Sequence, residues 1–351
     1  MTIISIINNS LYKWFATDDE IAKAKKCVDD DKISFMRYHF HSTFNDSGGR
    51  DKYEKTIGPY KRKYHRSVDK FIIDNPDYEK NRNILTKAFF KLHYCYEILL
   101  QNGYDIENAL FLAELPGSSI FAMLHLFPCA RWWANSMYYS VRGKKYLVKD
   151  EFKLIENYGD RWIGHKNKAL NGHTGNLEEK RVRNDIQAFI NERNIKLDLI
   201  SCDGGNDTYN HTSEYRFNQR YMIMTALMQA EWDTARSLLI EHSAFVLKVY
   251  NSFYYEPMLK LITEICSNFR NVCFVKPAIS KMDNDEFYLV CIDRKPLKDV
   301  HECTIDEVNK IVDAMKNLMV SELSSVIAET RIIKTKKSKQ KIYNQDYKNV
   351  K

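Results

Sequence analysis

The chain has 351 residues, of which 44% are hydrophobic, and it carries a formal net charge of +7. This length suits one large α/β domain with extensions, which we expect in preference to two modest domains. No apolar segment approaches the roughly 20 residues needed to cross a bilayer, and the first residues lack the basic start and long apolar run of a signal peptide. These features exclude the membrane-spanning class and predict a soluble intracellular protein.

The eight cysteines are scattered, and no two have the two-residue spacing that holds zinc, so we interpret them as reduced core residues. His39 and His41 could face one way on a strand, but without a third ligand nearby we interpret them as surface histidines. Basic residues are concentrated at positions 60–66 and 331–351. Both segments can be solvated surface, although the aromatic residues within the first favour contact with RNA.

Residues 1–80 are polar, aromatic-rich and weakly periodic, and we assign them to an N-terminal extension that contacts RNA or its cap. Apolar residues at helical spacing then predict an amphipathic helix over residues 81–100, with Gly103 just beyond its end. Lys91 falls between core positions of this helix. Taken alone, it would be a solvent-facing lysine.

A buried strand is predicted at residues 109–113, followed by a turn at Pro116 and Gly117 into a helix that begins with Ser118 and Ser119. Glycine lets the backbone approach a ligand closely, and the free amides at a helix start favour an anionic group. This pattern indicates a nucleotide-type binding turn, with one glycine where such loops usually have two or three. A second strand is predicted over residues 131–139.

Residues 197–251 predict a strand, a long helix and a second strand. The first strand ends at Asp203, before Gly204 and Gly205, and the second ends at Lys248. An ionisable residue at the end of a buried parallel strand lies beside the crevice where open α/β sheets bind ligands. We therefore expect the chemistry of the protein at this end of the sheet.

Further along the chain, a helix is predicted over residues 257–269 and a strand over residues 272–275, which Pro277 ends because proline cannot donate to a ladder. A last strand is predicted over residues 286–292. A capping pattern at Thr304 begins an amphipathic helix that reaches residue 329, and a basic, mobile tail is expected at residues 331–351.

The order of these features resembles the FtsJ-like (RrmJ-type) ribose 2′-O-methyltransferases, over residues 83–294. The residues that carry the resemblance are Ser201-Cys202-Asp203-Gly204-Gly205, Phe245-Val246-Leu247-Lys248, Lys276-Pro277, Ser280-Lys281 and Glu286-Phe287-Tyr288. It implies a Rossmann-like class I methyltransferase fold at residues 81–330, with a mostly parallel seven-stranded sheet, helices on both faces and a C-terminal helix. The implied cofactor is S-adenosyl-L-methionine. The proline after the acid, together with the segment Trp132-Trp133-Ala134-Asn135-Ser136, is most similar to the branch found in large cytoplasmic DNA viruses, which implies the host cytoplasm.

The resemblance implies a catalytic tetrad of Lys91, Asp203, Lys248 and Glu286, with Lys87 as the alternative to Lys91. Lys248 is expected to be the general base that takes the proton of the ribose 2′-hydroxyl. Burial and the like charge of Lys91 would favour its neutral form. No metal is required, because the reaction involves neither a phosphate leaving group nor a hydrolytic water. Ser280 and Lys281 are expected to hold the substrate ribose and phosphate.

The implied contacts to the cofactor are Glu114, Pro116, Gly117, Ser118, Asn135, Asn176 and Asp203. Three positions depart from the pattern of the family. Ser118 replaces a second glycine, Asn135 or Ser136 replaces the acid expected to hold the ribose hydroxyls, and Asn176 replaces the aspartate that usually precedes the adenine pocket.

The expected function is methylation of the first transcribed nucleotide of capped mRNA. The alternatives are a ribosomal or transfer RNA 2′-O-methyltransferase and a methyltransferase fold kept as an RNA-binding or scaffold subunit with a degenerate cofactor site. The expected partners are RNA and proteins of the capping or transcription machinery, and not a membrane.

Overall fold

The computed structural model describes residues 1–7, 17–30, 59–137, 150–163, 175–205, 214–250, 255–277, 279–280 and 286–349. The chain forms two compact units. The first contains residues 1–6, 83–277 and 286–315, and the second contains residues 7–82, 278–285 and 316–351. Most of the candidate site residues lie in the first unit. The exceptions, Ser280 and Lys281, belong to the second.

A seven-stranded sheet with the order β1-β6-β7-β5-β4-β2-β3 organises the first unit. The strands are β1 (Thr2–Ile7), β2 (Asn108–Leu112), β3 (Arg131–Asn135), β4 (Leu197–Cys202), β5 (Leu239–Tyr250), β6 (Phe269–Lys276) and β7 (Glu286–Arg294). Strands β3, β2, β4 and β5 are parallel neighbours, whereas β7 runs antiparallel to both β5 and β6. The predicted fold class, a mostly parallel sheet of the class I methyltransferase type, is confirmed.

The central strands contain long buried apolar runs, because helices cover the sheet. All five residues of β2 are buried, for example, as expected for a parallel strand with both faces covered. The helices of this part of the chain are α3 (Lys87–Gln101), α4 (Ser118–Leu126), α5 (Leu154–Asn157), α6 (Lys180–Glu192), α7 (Glu214–Arg236) and α8 (Glu256–Ser267), after α1 (Asp18–Asp29) and α2 (Pro59–Asp74) of the N-terminal region.

Several elements differ from the sequence-based expectations in their bounds. Strand β1 lies in the weakly periodic first 80 residues, where a short run of β-branched residues forms the edge of the sheet. Helix α3 begins after residue 81, because the Thr86 side chain accepts from the Phe89 amide and caps the helix there. A 3-10 helix, Pro76–Ile84, precedes it.

The C-terminal helix α9 (Ile305–Asn349) is longer than the periodicity predicts, since it continues through the basic segment that was expected to be a mobile tail. Lysine and glutamine have good helix propensity, so loss of apolar periodicity alone does not end a helix. In the second unit, the Arg331 Nε of this helix lies 3.3 Å from the Glu20 Oε1 of α1. The basic segment at residues 60–66 lies on α2, whereas His39 and His41 lie outside the described residues. The described helices include none that is long and apolar enough to cross a membrane.

Candidate active site

Four elements bring the predicted catalytic residues to one end of the sheet. Lys91 lies on α3, Asp203 directly follows β4, Lys248 lies on β5 and Glu286 begins β7. Parallel pairing of Cys202 with Leu247 sets the residues that follow side by side. Antiparallel pairing of β5 with β7 then adds Glu286, which lies opposite Tyr250. Residues that are distant in sequence meet here because the pairing places the strand ends together.

The first ion pair of the site joins Lys248 to Asp203. Lys248 Nζ lies 3.1 Å from the carboxylate Oδ1 of Asp203 and donates a hydrogen bond to the main-chain oxygen of the same residue at 2.7 Å. The two side chains are only 11% and 17% exposed. This geometry holds the ammonium group of Lys248 at the turn that follows β4.

The second ion pair joins Lys91 to Glu286. Lys91 Nζ contacts Glu286 Oε1, and the Lys91 side chain is 13% exposed rather than solvent-facing. Its position on the helix is thus explained by a partner far away in sequence. A third lysine, Lys276, is buried at the end of β6 and donates from Nζ to the main-chain oxygen of Glu286 at 2.6 Å. Lys91 is the candidate that contacts Glu286, and the choice between Lys91 and Lys87 stays a prediction.

The pKa values of Lys91 and Lys248 are shifted in opposite directions. Burial lowers the pKa of Lys91 to about 7, with further lowering by the charges of Lys248 and Lys276 against the opposing charge of Asp203. Burial also acts to lower the pKa of Lys248, but the charge and hydrogen bond of Asp203 outweigh it, so this pKa is raised above its ordinary value. Without a further ligand, Lys248 is therefore charged at neutral pH.

Tyr288, which belongs to the motif Glu286-Phe287-Tyr288 but had no predicted role, also contacts the site. Its hydroxyl donates to Asp203 Oδ1 at 2.9 Å, and its ring is fully buried. Burial, reinforced by the negative charge of Asp203, raises the pKa of Tyr288 well above its ordinary value, so the hydroxyl remains a donor. Its position two residues after Glu286 was a usable signal, because residues i and i+2 of a strand point to the same face.

The predicted binding turn lies between β2 and α4. Glu114 is buried, and its Oε1 accepts from the Ser119 amide at 3.0 Å, while its Oε2 has no hydrogen-bond partner among the described residues. Burial raises the pKa of Glu114 to about 8. Pro116 follows a cis peptide bond, and Gly117 has φ of 110°, a conformation that favours glycine. A Cβ atom at Gly117 would lie 2.1 Å from the Leu154 Cδ1, so the turn also needs glycine for space.

The first turn of α4 is fixed by side-chain hydroxyl groups. Ser118 is buried, and its Oγ accepts from Thr86 Oγ1 at 2.8 Å. Ser118, which replaces the second glycine of the family pattern, thus links the turn to the N-terminal cap of α3, the helix that carries Lys91. The binding turn and the tetrad are therefore joined through the start of two helices.

Asn135 ends β3 beside this turn. Its Nδ2 donates to the Ile163 main-chain oxygen at 3.2 Å, and its Oδ1 is buried with no hydrogen-bond partner in the described part of the chain. Ser136 instead accepts from the Leu115 amide at its Oγ, at 3.2 Å. Of the two residues proposed to replace the expected acid, Asn135 therefore retains an unsatisfied acceptor.

Asn176 has a local structural role. Its Oδ1 accepts from the Glu178 amide at 3.1 Å, which forms a turn just before α6. Gly175, with φ of 71°, approaches β3 so closely that a Cβ atom there would lie 2.0 Å from the Ser136 oxygen. This approach brings the segment to the same end of the sheet. Ser280 is buried in the second unit, and Lys281 lies outside the described residues.

The donors and acceptors of this region fit S-adenosylmethionine. Glu114 Oε2 and Asn135 Oδ1 are buried acceptors without donors among the residues described, and such atoms are costly unless a ligand satisfies them. An ammonium group and ribose hydroxyls, both present in this cofactor, are donors of the kind that the two acceptors lack. Glu114 and Asn135 would therefore hold the methionine and ribose parts, next to the amides at the start of α4.

The chain also matches a known protein family. The model of the FtsJ-like methyltransferase family matches residues 109–294. Relatives from several animals carry the name cap-specific mRNA (nucleoside-2′-O-)-methyltransferase 2. The protein of Danio rerio is 26% identical over 226 residues, 61% of this chain and 29% of the relative. That of Pongo abelii is 25% identical over 303 residues, 81% of this chain and 34% of the relative.

The protein of Drosophila melanogaster is 25% identical over 219 residues, 59% of this chain and 30% of the relative. This chain thus spans about a third of the length of the relatives that it matches. The match to the family model covers more than half of the 351 residues and includes the strands that carry Asp203, Lys248 and Glu286. The chain belongs to the FtsJ-like methyltransferase family, whose members use S-adenosylmethionine.

Proposed function

We propose that this protein methylates the ribose 2′-oxygen of RNA, with capped mRNA as its substrate class. The observation that carries the proposal is the convergence of two lysine–carboxylate pairs, Lys248 with Asp203 and Lys91 with Glu286, at one end of the sheet. Paired lysines suit an oxygen nucleophile that must lose a proton. The names of the relatives support capped mRNA over ribosomal or transfer RNA.

The chemistry requires alignment of the hydroxyl group and removal of its proton. When bound, S-adenosylmethionine supplies a methyl group that is already activated by its positive sulfonium. The protein must then hold the 2′-oxygen in line, which can contribute about 7 kcal/mol or more, and accept its proton, which is worth about 10² to 10⁴ in rate. In the proposed mechanism, Lys248 Nζ accepts that proton.

Lys248 must lose its own proton before it can act as a base. Asp203 raises the pKa of Lys248, so a weaker interaction between Asp203 and Lys248 would favour loss of this proton. When Asp203 also holds a cationic cofactor, its negative charge is shared and the charged form of Lys248 is favoured less. The positive charge of Lys91 acts in the same direction, because like charges disfavour each other's charged form.

The finer predictions from the sequence form part of the same proposal. They are methylation of the first transcribed nucleotide, partners in the capping or transcription machinery, and a viral origin with activity in the host cytoplasm. The segment from Trp132 to Ser136, which forms the end of β3 and the residue after it, is the feature that supports the viral branch. Imaging of the tagged protein together with newly capped RNA would test the compartment.

The decisive experiment measures transfer of labelled methyl from S-adenosylmethionine to capped and uncapped RNA of the same sequence. Nuclease digestion then assigns the label to the first, the second or an internal nucleotide. Lys248→Met removes the proposed base, and Lys298→Met is the matched control because Lys298 is exposed in a 3-10 helix. We expect label on a ribose next to the cap, lost in Lys248→Met and kept in the control. Absence of transfer by native protein that binds the cofactor would overturn the proposal and favour an RNA-binding subunit.

A further inference from the structure

Helix α7 carries a buried carboxyl group that belongs neither to the tetrad nor to the predicted cofactor contacts. Glu231 is 1% exposed. Its neighbour Trp232 fixes the helix on the sheet, with its ring 5.5 Å from that of Phe245 on β5 and its Nε1 donating to Glu264 of α8 at 2.8 Å. A buried carboxyl group is costly unless it is partnered. The group to which Glu231 is bonded therefore indicates its role.

That partner is the turn of the active site. Glu231 Oε1 accepts from the Gly204 amide at 3.2 Å, directly after Asp203. A Cβ atom at Gly204 would lie only 2.2 Å from the same oxygen and 3.0 Å from Leu227 Cδ2. Residue 204 must therefore be glycine for this hydrogen bond to form, because any larger residue would push the carboxyl group of Glu231 away.

The same peptide group is held from its other end. The oxygen of the peptide between Asp203 and Gly204 accepts from Lys248 Nζ at 2.7 Å, and its N–H donates to Glu231. Lys248 and Glu231 thus hold opposite ends of one peptide bond. Hydrogen bonds arranged in series polarise one another, so an acceptor on the N–H makes the carbonyl oxygen a better acceptor.

We propose that Glu231 is a positioning residue of the methyltransferase site, which acts through the Asp203–Gly204 peptide to hold both Asp203 and Lys248 in place. The proposal rests on the proposed function, since it concerns the geometry of the same reaction. Glu231 does not touch the reacting atoms. It fixes the turn that carries Asp203 and strengthens the carbonyl group to which Lys248 donates.

Charge adds a second effect on Lys248. The charged groups that bear on Glu231 are Lys248 on β5 and Asp203 after β4, and burial with the charge of Asp203 raises its pKa to about 8 against the opposing charge of Lys248. Cys202, at the end of β4, is also within electrostatic reach. In either protonation state, an oxygen of the Glu231 carboxyl group can accept a hydrogen bond from the Gly204 amide. Only the ionised form stabilises the ammonium group of Lys248, so the hydrogen bond and the charge can be tested separately.

Two substitutions separate these effects. Glu231→Leu removes the acceptor, and we expect kcat of the full chain to fall about 30- to 100-fold, because small displacements at a reacting centre have effects of this size. Glu231→Gln keeps an acceptor and removes the charge that native Glu231 carries above its pKa of about 8, so we expect kcat within about threefold of native. Its pH–rate profile should have an acid limb shifted by roughly half a unit to lower pH, because Lys248 loses a stabilising charge.

Thr234→Val is the control on the same helix, since it removes a buried hydrogen bond to Ala230 without touching the turn. Equal losses of kcat in Glu231→Leu and Thr234→Val would overturn the proposal. An unshifted pH–rate profile in Glu231→Gln, combined with a loss of kcat equal to that in Glu231→Leu, would also overturn it.

Hydrogen exchange of the Gly204 amide is a test that does not depend on catalysis. We expect at least about tenfold faster exchange in Glu231→Leu than in Thr234→Val. If the Gly204 amide stays protected from exchange in Glu231→Leu, Glu231 does not hold the turn, even if the native protein transfers methyl groups. If this protection is lost but the native protein transfers no methyl group, only the proposed reaction is rejected.

Discussion

Lys248 and Tyr288 lie opposite each other in the antiparallel pairing of β5 with β7, and both contact one oxygen atom, Oδ1 of Asp203, Lys248 as an ion pair and Tyr288 as a hydrogen-bond donor. The distances are 3.1 Å from Lys248 Nζ and 2.9 Å from the Tyr288 hydroxyl. A carboxylate oxygen that is held by an ammonium group and by a hydroxyl group has a fixed orientation. Strand register therefore sets the orientation of the aspartate as well as the position of the lysine.

The first prediction concerns the Tyr288 hydroxyl. Tyr288→Phe removes one hydrogen bond to a charged group and leaves the buried ring in place, so we expect kcat to fall about 10- to 100-fold with little change in the fold. Tyr104→Phe is the control, because its hydroxyl bonds to His242 and Asp293, near the start of β5 and the end of β7. Single-turnover methyl transfer measures both. Native kcat in Tyr288→Phe would show that Asp203 does not depend on this bond.

The second prediction separates the charge of Lys248 from its basicity. Arginine cannot lose its proton in a protein, so Lys248→Arg keeps a cation near Asp203 but provides no base. We expect kcat to fall about 10² to 10⁴ fold while the affinity for S-adenosylmethionine, measured by calorimetry, changes less than about threefold. If Lys248→Arg retains more than about a tenth of native kcat, another group accepts the proton.

Much of this site could be predicted from the sequence, because its main residues lie at the ends of strands. Asp203 and Lys248 each follow an apolar run of strand length, and parallel strands place such ends together. Glu286 was identified by its motif rather than by its surroundings. Lys91 had only the periodicity of its helix to support it, and its contact with Glu286 spans 195 positions of sequence.

The remaining features depend on packing that no local pattern encodes. Glu231 lies 27 residues from Gly204, and it faces the turn only because α7 packs on the sheet in one rotation. The opposite pKa shifts of Lys91 and Lys248 are a balance of burial and of nearby charges, which sequence order does not reveal. The role of Tyr288 followed from the register between β5 and β7. Residue types could be assigned in advance, whereas their electrostatic balance could not.

The third prediction follows from the buried carboxyl group of the binding turn. With a pKa of about 8, Glu114 is mostly protonated at pH 7 in the free protein. An ammonium donor at its unsatisfied Oε2 would favour the ionised form, so binding of S-adenosylmethionine at pH 7 should release most of one proton. Calorimetry in buffers of different ionisation enthalpy measures this release. We expect it to disappear in Glu114→Gln, with about 10- to 100-fold weaker binding, and equal proton release in both proteins would exclude Glu114 as its source.

The fourth prediction concerns stability and pH in the absence of cofactor. Burial raises the pKa of Glu231 to about 8 from its ordinary 4.5, so between these values the folded protein binds more protons than the unfolded chain. The free energy of unfolding should therefore fall as pH rises through this window, by about 1.4 kcal/mol per pH unit for this group. Glu231→Gln has no proton to lose, so its stability relative to native protein should increase by roughly 2 to 3 kcal/mol between pH 5 and pH 7. Urea denaturation of the two proteins at several pH values measures the difference, in which the contributions of Glu114 and other shared groups cancel. Parallel stability curves would mean that Glu231 is already ionised in the folded protein, and the ion pair with Lys248 would then outweigh burial.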